Sequence, residues 1–267
     1  LAAVGQELWR GVRARRAMSR DSLPAAVLAV IRRNRRRYGG YIVHAGIAVL
    51  FVGIAASSAF QDQRLVQLRP GQTERVDGYA IAYEGPTARL VAADNGRLER
   101  IDLGARLRVR RGDGEAETLH TYKSYFPSTD PSLGPISRFF EGEATSEVGL
   151  LAGWRQDVWT AISPDVARLR EQVEEGDRVF SRIADLPAEA REPLLAQALD
   201  GLAGSYARNP PPATFRMIAS PLVTWIWVGA IVVFIGGLVC LWPSRTAAPR
   251  PVAAAYTARV ARELTRA

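Results

Sequence analysis

The 267-residue chain is 48% apolar, with a formal charge of +8 and a pI near 10.2. Residues 1–60 carry ten arginines against two acids, residues 61–220 carry 20 basic and 24 acidic side chains, and residues 243–267 carry five arginines against one acid. Basic charge therefore brackets two apolar runs and a mildly acidic middle, which is a membrane pattern and argues against a nucleic-acid partner.

Chain order begins with a basic segment, residues 1–40, ending in "RRNRRRYGG". Its first residue is Leu1, so the expectation is a piece of a longer chain or one whose start has been removed. The run 41–60 has 20 residues without a formal charge, and at ~1.5 Å per residue it crosses a ~30 Å hydrocarbon core. A cleaved signal peptide is the competing reading of this run, since "AASSAF" resembles a small-residue cleavage site. The run is long for a signal core, however, and some 40 residues precede it.

From Arg64 to Phe126 the sequence predicts short antiparallel strands forming a small sandwich or barrel. "IDLGARLRV" alternates, with Ile101, Leu103, Ala105, Leu107 and Val109 on one face. "RGDGE" supplies a turn and "AETLHTYKSYF" the returning strand, while "YAIAYEG" and "ARLVAADNGRLER" add further short strands. Pro127–Glu143 reads as a loop. "DVWTAIS" and "ATFRMIAS" read as strands that enclose a helical hairpin, about 164–206, with Val166, Leu169, Val173, Phe180 and Ile183 on one helical stripe. The acids of residues 61–220 are dispersed as on a solvated surface. No metal-ligand cluster, nucleophile–base pair or phosphate loop is evident.

Residues 221–242, "PLVTWIWVGAIVVFIGGLVCLW", form the second span, with Trp225, Trp227 and Trp242 near its ends as interfacial anchors. The one cysteine, Cys240, lies inside it, so no disulfide forms within the chain, and no CxxCH sequence offers a c-type haem attachment site. The arginines on the outer flanks of both spans place residues 1–40 and the tail 243–267 in the cytoplasm and residues 61–220 outside it. The fold class is thus an α+β membrane protein: two transmembrane helices flanking an extracytoplasmic antiparallel β-domain with an inserted helical hairpin.

His44 is one of two histidines, and it lies inside the first span. It follows Arg37 by seven residues, which puts it ~10 Å along the helix from the basic edge. Gly39, Gly46 and Gly53 recur every seven residues, a seam where another helix can approach closely. His44 points nearly opposite, on a stripe continuing through Ala48, Phe51, Ala55 and Ser58. A helix with a seam behind and a histidine in front needs covering on both sides, and two spans do not supply that. An ionisable residue there is costly. The spacing leaves three roles open: a structural histidine bonded to a neighbouring helix, a proton relay, or an axial haem ligand.

"NRRRYGGYIVHAGIAVLFVGIAASSAF" resembles a late span of the CcmF family, the large membrane subunit of bacterial cytochrome c haem lyase. "ASPLVTWIWVGAIVVFIGGLVCLWP" resembles that family's last span, and "SEVGLLAGWRQDVWTAI" the soluble segment before it. The resemblance implies the C-terminal part of such a protein, as a fragment or a split-gene product, in the bacterial inner membrane. It implies attachment of haem to apocytochrome c, with haem delivered by a haem chaperone and other cytochrome c maturation subunits alongside. It implies a b-type haem (haem b) with His44 as one axial ligand, the rest of the helix bundle being supplied in cis or in trans. The family's tryptophan-rich external loop, its flanking histidines and the second axial ligand have no counterpart here. His120 reads as a partly exposed strand histidine that matches none of these, and Trp225 and Trp227 lie near the outer face where haem transfer is expected, reading as anchors of that end with contact to a substrate as the alternative. Tyr38, Tyr41 and the arginines would fix the helix depth, and the hairpin at 164–206 reads as a lineage-specific insertion. No residue of this chain needs to act as a nucleophile, so the chain by itself is not expected to be an enzyme. The alternative is a membrane-anchored scaffold or sensor, whose outer domain binds a partner and which carries no haem.

Overall fold

The computed structural model describes residues 2–242 together with 261, 262 and 265, so most of the basic tail assigned from sequence to the cytoplasm lies outside the described residues. The chain divides into two compact units, Leu1–Phe51 with Trp227–Ala267, and Val52–Ile226. Both boundaries fall within the two long apolar helices.

In the first unit the segment read only as basic is helical: α1 (Ala2–Met18) and α2 (Leu23–Arg33) pair with each other, burying Val12 and Ala26. Pro24 sits in the first turn of α2, where a missing N–H costs nothing. Asn34 separates α2 from α3 (Arg35–Ala59), its N–H donating to the Val30 carbonyl and its own carbonyl accepting the Arg37 and Tyr38 N–H groups at 3.0 Å. The apolar helix therefore starts six residues before the uncharged run, because arginine is a good helix former and extends the helix past the apolar edge. The second long helix, α7 (Val223–Leu241), is shorter than the apolar run by two residues at its start. Pro221 ends a strand, and Leu222 takes a left-handed turn (φ 58°) between strand and helix.

The second unit holds two antiparallel sheets. One has the order β1 (Asp62–Leu68), β9 (Ala213–Pro221), β8 (Gln156–Ser163), β7 (Gly149–Leu151). The other has the order β2 (Thr73–Val76), β3 (Tyr79–Ala92), β4 (Leu98–Arg111), β5 (Ala116–Tyr125), β6 (Ala144–Glu147). A core between them gathers Ile81, Tyr83, Leu107 and Val109 from one sheet and Val158, Ile162, Phe215 and Met217 from the other, so the form is a sandwich. The stretches read as two short strands, "YAIAYEG" and "ARLVA", are one strand, β3. Its register against β4 shifts between Tyr83 and Gly85, where Glu84 and Gly85 interrupt the alternation. The segment read as a loop, 127–143, includes a single helical turn, α4 (Ser137–Phe140), that buries Phe139.

The predicted face of β4 is buried along its whole length, but against two different partners. Ala105, Leu107 and Val109 meet the opposite sheet, whereas Ile101 and Leu103 meet the helical hairpin, α5 (Arg170–Arg182) and α6 (Ala188–Arg208). Leu169, Val173 and Phe180 of the predicted stripe, with Leu199, Leu202 and Tyr206 of α6, make this second core, and Val166 and Ile183 pack at its rim. Replacing Leu199 with Ala should destabilise this unit by about 2–5 kcal/mol. Val179→Ala, on the exposed side of α5, should cost no more than about 0.5 kcal/mol. Thermal unfolding in detergent compares them.

Tyr83 is fully buried, packs edge-on against Phe215 with ring centroids 5.0 Å apart, and its hydroxyl finds no partner among the described residues. Burial pushes its pKa up from 10.0 to about 12, and Tyr125 and Tyr206 are pushed up for the same reason. These phenols stay neutral in the fold while they ionise in the unfolded chain. The resulting stability is complete below pH 10 and is lost as pH rises towards about 12. Tyr83→Phe should leave neutral-pH stability unchanged or improved and make the alkaline fall shallower, read from unfolding midpoints across that range.

Candidate helix seam and histidine site

The glycines of α3 meet a matching set on α7. A Cβ placed on Gly39 would lie 2.9 Å from the Cys240 nitrogen, on Gly46 2.7 Å from the Val233 nitrogen, and on Gly53 2.9 Å from the Ile226 nitrogen. The partners step back by seven as the glycines step forward, the signature of antiparallel helices in contact over several turns. The contact is reciprocal. A Cβ on Gly229 would lie 2.6 Å from the Leu50 nitrogen, and one on Gly236 2.7 Å from the Val43 nitrogen. Gly229 and Gly236 were not singled out from sequence, although their seven-residue spacing in "VGAIVVFIGG" carries the same signal as the α3 seam.

His44 stands on the face of α3 away from this seam. It is exposed, as are Phe51 (64%), Ala55 and Ser58 farther along its stripe. Its Nδ1 lies 2.7 Å from the Gly40 carbonyl oxygen. A carbonyl only accepts, so Nδ1 carries the proton, and in the neutral ring the lone pair of Nε2 is free and directed outward. Anchoring one imidazole nitrogen on a backbone carbonyl is the usual way a metal-ligating histidine is oriented. Ala48, one turn on, is small enough to leave room for a flat ring system. His44 thus fits a haem as one axial ligand. Of the other soft ligands among the described residues, Met217 is in the β-sandwich core, Met18 is exposed at the end of α1, and the Cys240 thiol donates to the Arg36 carbonyl at 3.6 Å on the seam side. No group of three or more metal-ligating side chains occurs among the described residues.

Beside the seam, Tyr41 donates to Glu7 Oε2 at 2.6 Å and accepts from Arg37 Nε at 2.9 Å, and Arg37 also pairs with Glu7. Tyr38 is buried, packing edge-on against Tyr41. Both tyrosines expected to set helix depth are therefore engaged by α1, Tyr41 through Glu7 and Tyr38 with its hydroxyl against Gly11.

The other resembling segment builds the start of α7. The loop between β7 and β8 presents three successive carbonyls to it. Gly153 accepts from Thr224 Oγ1 at 2.8 Å, Trp154 from Trp225 Nε1 at 2.9 Å, and Arg155 from the Leu222 N–H at 3.0 Å. Gly153 N–H in turn donates to Asp157 at 2.9 Å. The indole N–H of Trp225 is thus taken by the protein, while Trp227 is largely exposed. His120 is exposed on β5, opposite Arg106, and joins none of these groups.

No protein-family model matches the chain. Curated proteins named cytochrome c-type biogenesis protein CcmF do. The Pseudomonas aeruginosa protein is 26% identical over 212 residues, 79% of this chain and 23% of that protein. The Escherichia coli protein is 24% identical over 78% of this chain and 23% of its own length, and that of Haemophilus influenzae 21% over 86% and 26%. The chain is similar to the C-terminal part of these CcmF proteins. It spans about a quarter of the length of the curated CcmF proteins it matches. A solved structure titled "Cytochrome c Heme Lyase CcmF" aligns with 91% of this chain and 34% of that one, at 19% identity and a TM-score of 0.45.

The seam makes a sharp contrast testable. Gly46→Ala and Gly229→Ala each push a methyl against backbone and should each weaken the helix pair by about 1–3 kcal/mol. Gly237→Ala, on the same helix with open space around it, should be neutral or stabilising. Thermal stability of the purified assembly in detergent separates the three.

Proposed function

We propose that this chain is the C-terminal portion of a cytochrome c haem lyase of the bacterial inner membrane, and that His44 is one axial ligand of an intramembrane b-haem. The observation that carries the reading is the disposition of His44: Nδ1 held by the Gly40 carbonyl, Nε2 turned outward, and the ring on the face left open by the α3–α7 seam. The CcmF relatives supply the context of cytochrome c maturation.

In this reading α3 and α7 are both transmembrane, with mean hydropathies of 2.0 and 2.3. Arg32–Arg37 and the arginines of the tail keep both ends on the cytoplasmic side, and the β-sandwich lies outside. His44 then sits in the cytoplasmic half of the bilayer, remote from the outer surface where apocytochrome c would be joined to haem. A haem bound there would supply one-electron chemistry. The chain's own part is to orient the imidazole, keep Nδ1 occupied by its bond to the Gly40 carbonyl, and present Nε2 to helices that the rest of the lyase contributes. Gly39, Gly46 and Gly53 fix the rotation of α3 that makes this possible. Haem delivery by a haem chaperone, contacts with other maturation subunits and recognition of apocytochrome c belong to the assembled lyase. No bond-making step requires a side chain of this segment.

The optical spectrum of the purified assembly containing this chain, oxidised and then reduced with dithionite, tests the assignment. A b-type reduced spectrum is expected in the wild type and should be lost or strongly weakened in His44→Ala while the complex stays intact. An unchanged spectrum in the variant, or no haem in a complete wild-type complex, would return His44 to a structural role and favour a membrane-anchored scaffold.

A further inference from the structure

Where α2 gives way to α3, the first unit has an open cleft of about 1020 Å³ beside the end of α7. Its apolar walls are Leu28 and Ile31 of α2 and Val239 and Trp242 at the close of α7, with Leu28 55% and Trp242 66% exposed. Arg32, Arg33 and Arg36 line it together with Asn34 and Arg35, and no acidic residue lines it among the described residues. Arg37 also borders the cleft but is engaged by Glu7 and Tyr41. We propose that this cleft binds one anionic phospholipid, its phosphate held by Arg32, Arg33 and Arg36 and an acyl chain lying along Leu28, Ile31 and Val239.

Three features lead to that ligand. First, every charged residue of the cleft is arginine, whose planar fork of donors matches the oxygens of a phosphate better than a lysine point charge does. Second, charge and grease share one concavity. A free inorganic anion would need only the arginines, while a purely apolar partner helix would leave three guanidinium groups beside it without a counter-charge. Third, the site sits where the apolar run meets the basic segment, with Trp242 at the level preferred by interfacial indoles. Basic pockets between membrane helices on the cytoplasmic side are the usual setting for anionic headgroups. A topology signal alone would call for the arginines without a cleft of lipid-chain dimensions.

The inference rests on the membrane placement proposed above, and not on the haem assignment. The experiment uses the detergent-purified assembly with the full chain, exposed to an equimolar mixture of dioleoylphosphatidylglycerol and dioleoylphosphatidylcholine and examined by native mass spectrometry. One phosphatidylglycerol per chain should survive detergent exchange, with phosphatidylcholine removed. In the Arg32→Gln, Arg33→Gln, Arg36→Gln variant the retained lipid should fall by at least about tenfold, from the loss of three headgroup-facing charges. The matched Arg10→Gln, Arg13→Gln, Arg16→Gln variant on α1 should keep it. Equal retention of both lipids, equal loss in both variants, or displacement of the lipid by inorganic phosphate at millimolar concentration would overturn the proposal. If the first variant fails to assemble, the wild-type preference for phosphatidylglycerol decides by itself. Flotation of the wild type with vesicles, run in parallel, separates the two levels: a chain that floats but retains no lipid refutes the cleft alone, whereas one that does not float refutes the membrane placement with it.

Discussion

Backbone-to-backbone approach between α3 and α7 governs the helical part of this molecule. Two helices whose glycines interlock at Gly39, Gly46, Gly229 and Gly236 have little freedom to rotate about their axes, because any rotation drives a side chain into the place where only hydrogen fits. In a bilayer, where burying apolar surface against another helix gains little over burying it in lipid, such close packing is among the main forces that join two spans. The orientation of His44 is a by-product of it. Once the seam faces α7, the imidazole must face away, and its Nδ1 falls on the carbonyl one turn below. A single residue type, repeated at a fixed interval, thus settles both which helices pair and what the pair leaves uncovered.

Much of this was legible in the chain. The glycine period of α3, the position of His44 opposite it, the alternating face of β4 and the stripe of the helical hairpin all appear in the structure as strong periodic signals. Periodicity reports which face of an element is buried and is silent on what buries it. Hence the alternation of β4 gave no hint that Ile101 and Leu103 face helices while Leu107 and Val109 face a sheet. Hence also the glycine seam did not identify α7 as its partner. The helices α1 and α2 were missed for a different reason. With arginines scattered round α1, charge obscured a weak apolar pattern, and its helical form places Glu7 beside Tyr41 and Arg37 only in three dimensions.

Side-chain to main-chain bonds were the least legible part. Nothing in "AGWR" announces three carbonyls aimed at the start of an apolar helix some seventy residues later in the chain. They become intelligible once Leu222 is seen to turn the chain between β9 and α7, which sets its own N–H and the Thr224 and Trp225 side chains against that loop. That explains why the two segments sharing a family likeness, "SEVGLLAGWRQDVWTAI" and "ASPLVTWIW", are structurally one feature.

The helical hairpin between β8 and β9 has a consequence for how such chains can change over evolutionary time. It covers the part of β3 and β4 that runs beyond the opposite sheet, with Ile101 and Leu103 beneath Leu199 and Phe180. Deleting the hairpin alone would expose that overhang as a sticky apolar sheet surface, and lengthening the strands alone would create one. Helices and strand extension therefore have to be gained or lost together, two distant stretches of sequence behaving as one heritable unit. A homologue with a direct β8–β9 link should accordingly have a β3–β4 hairpin clipped short by about the span of residues 86–103.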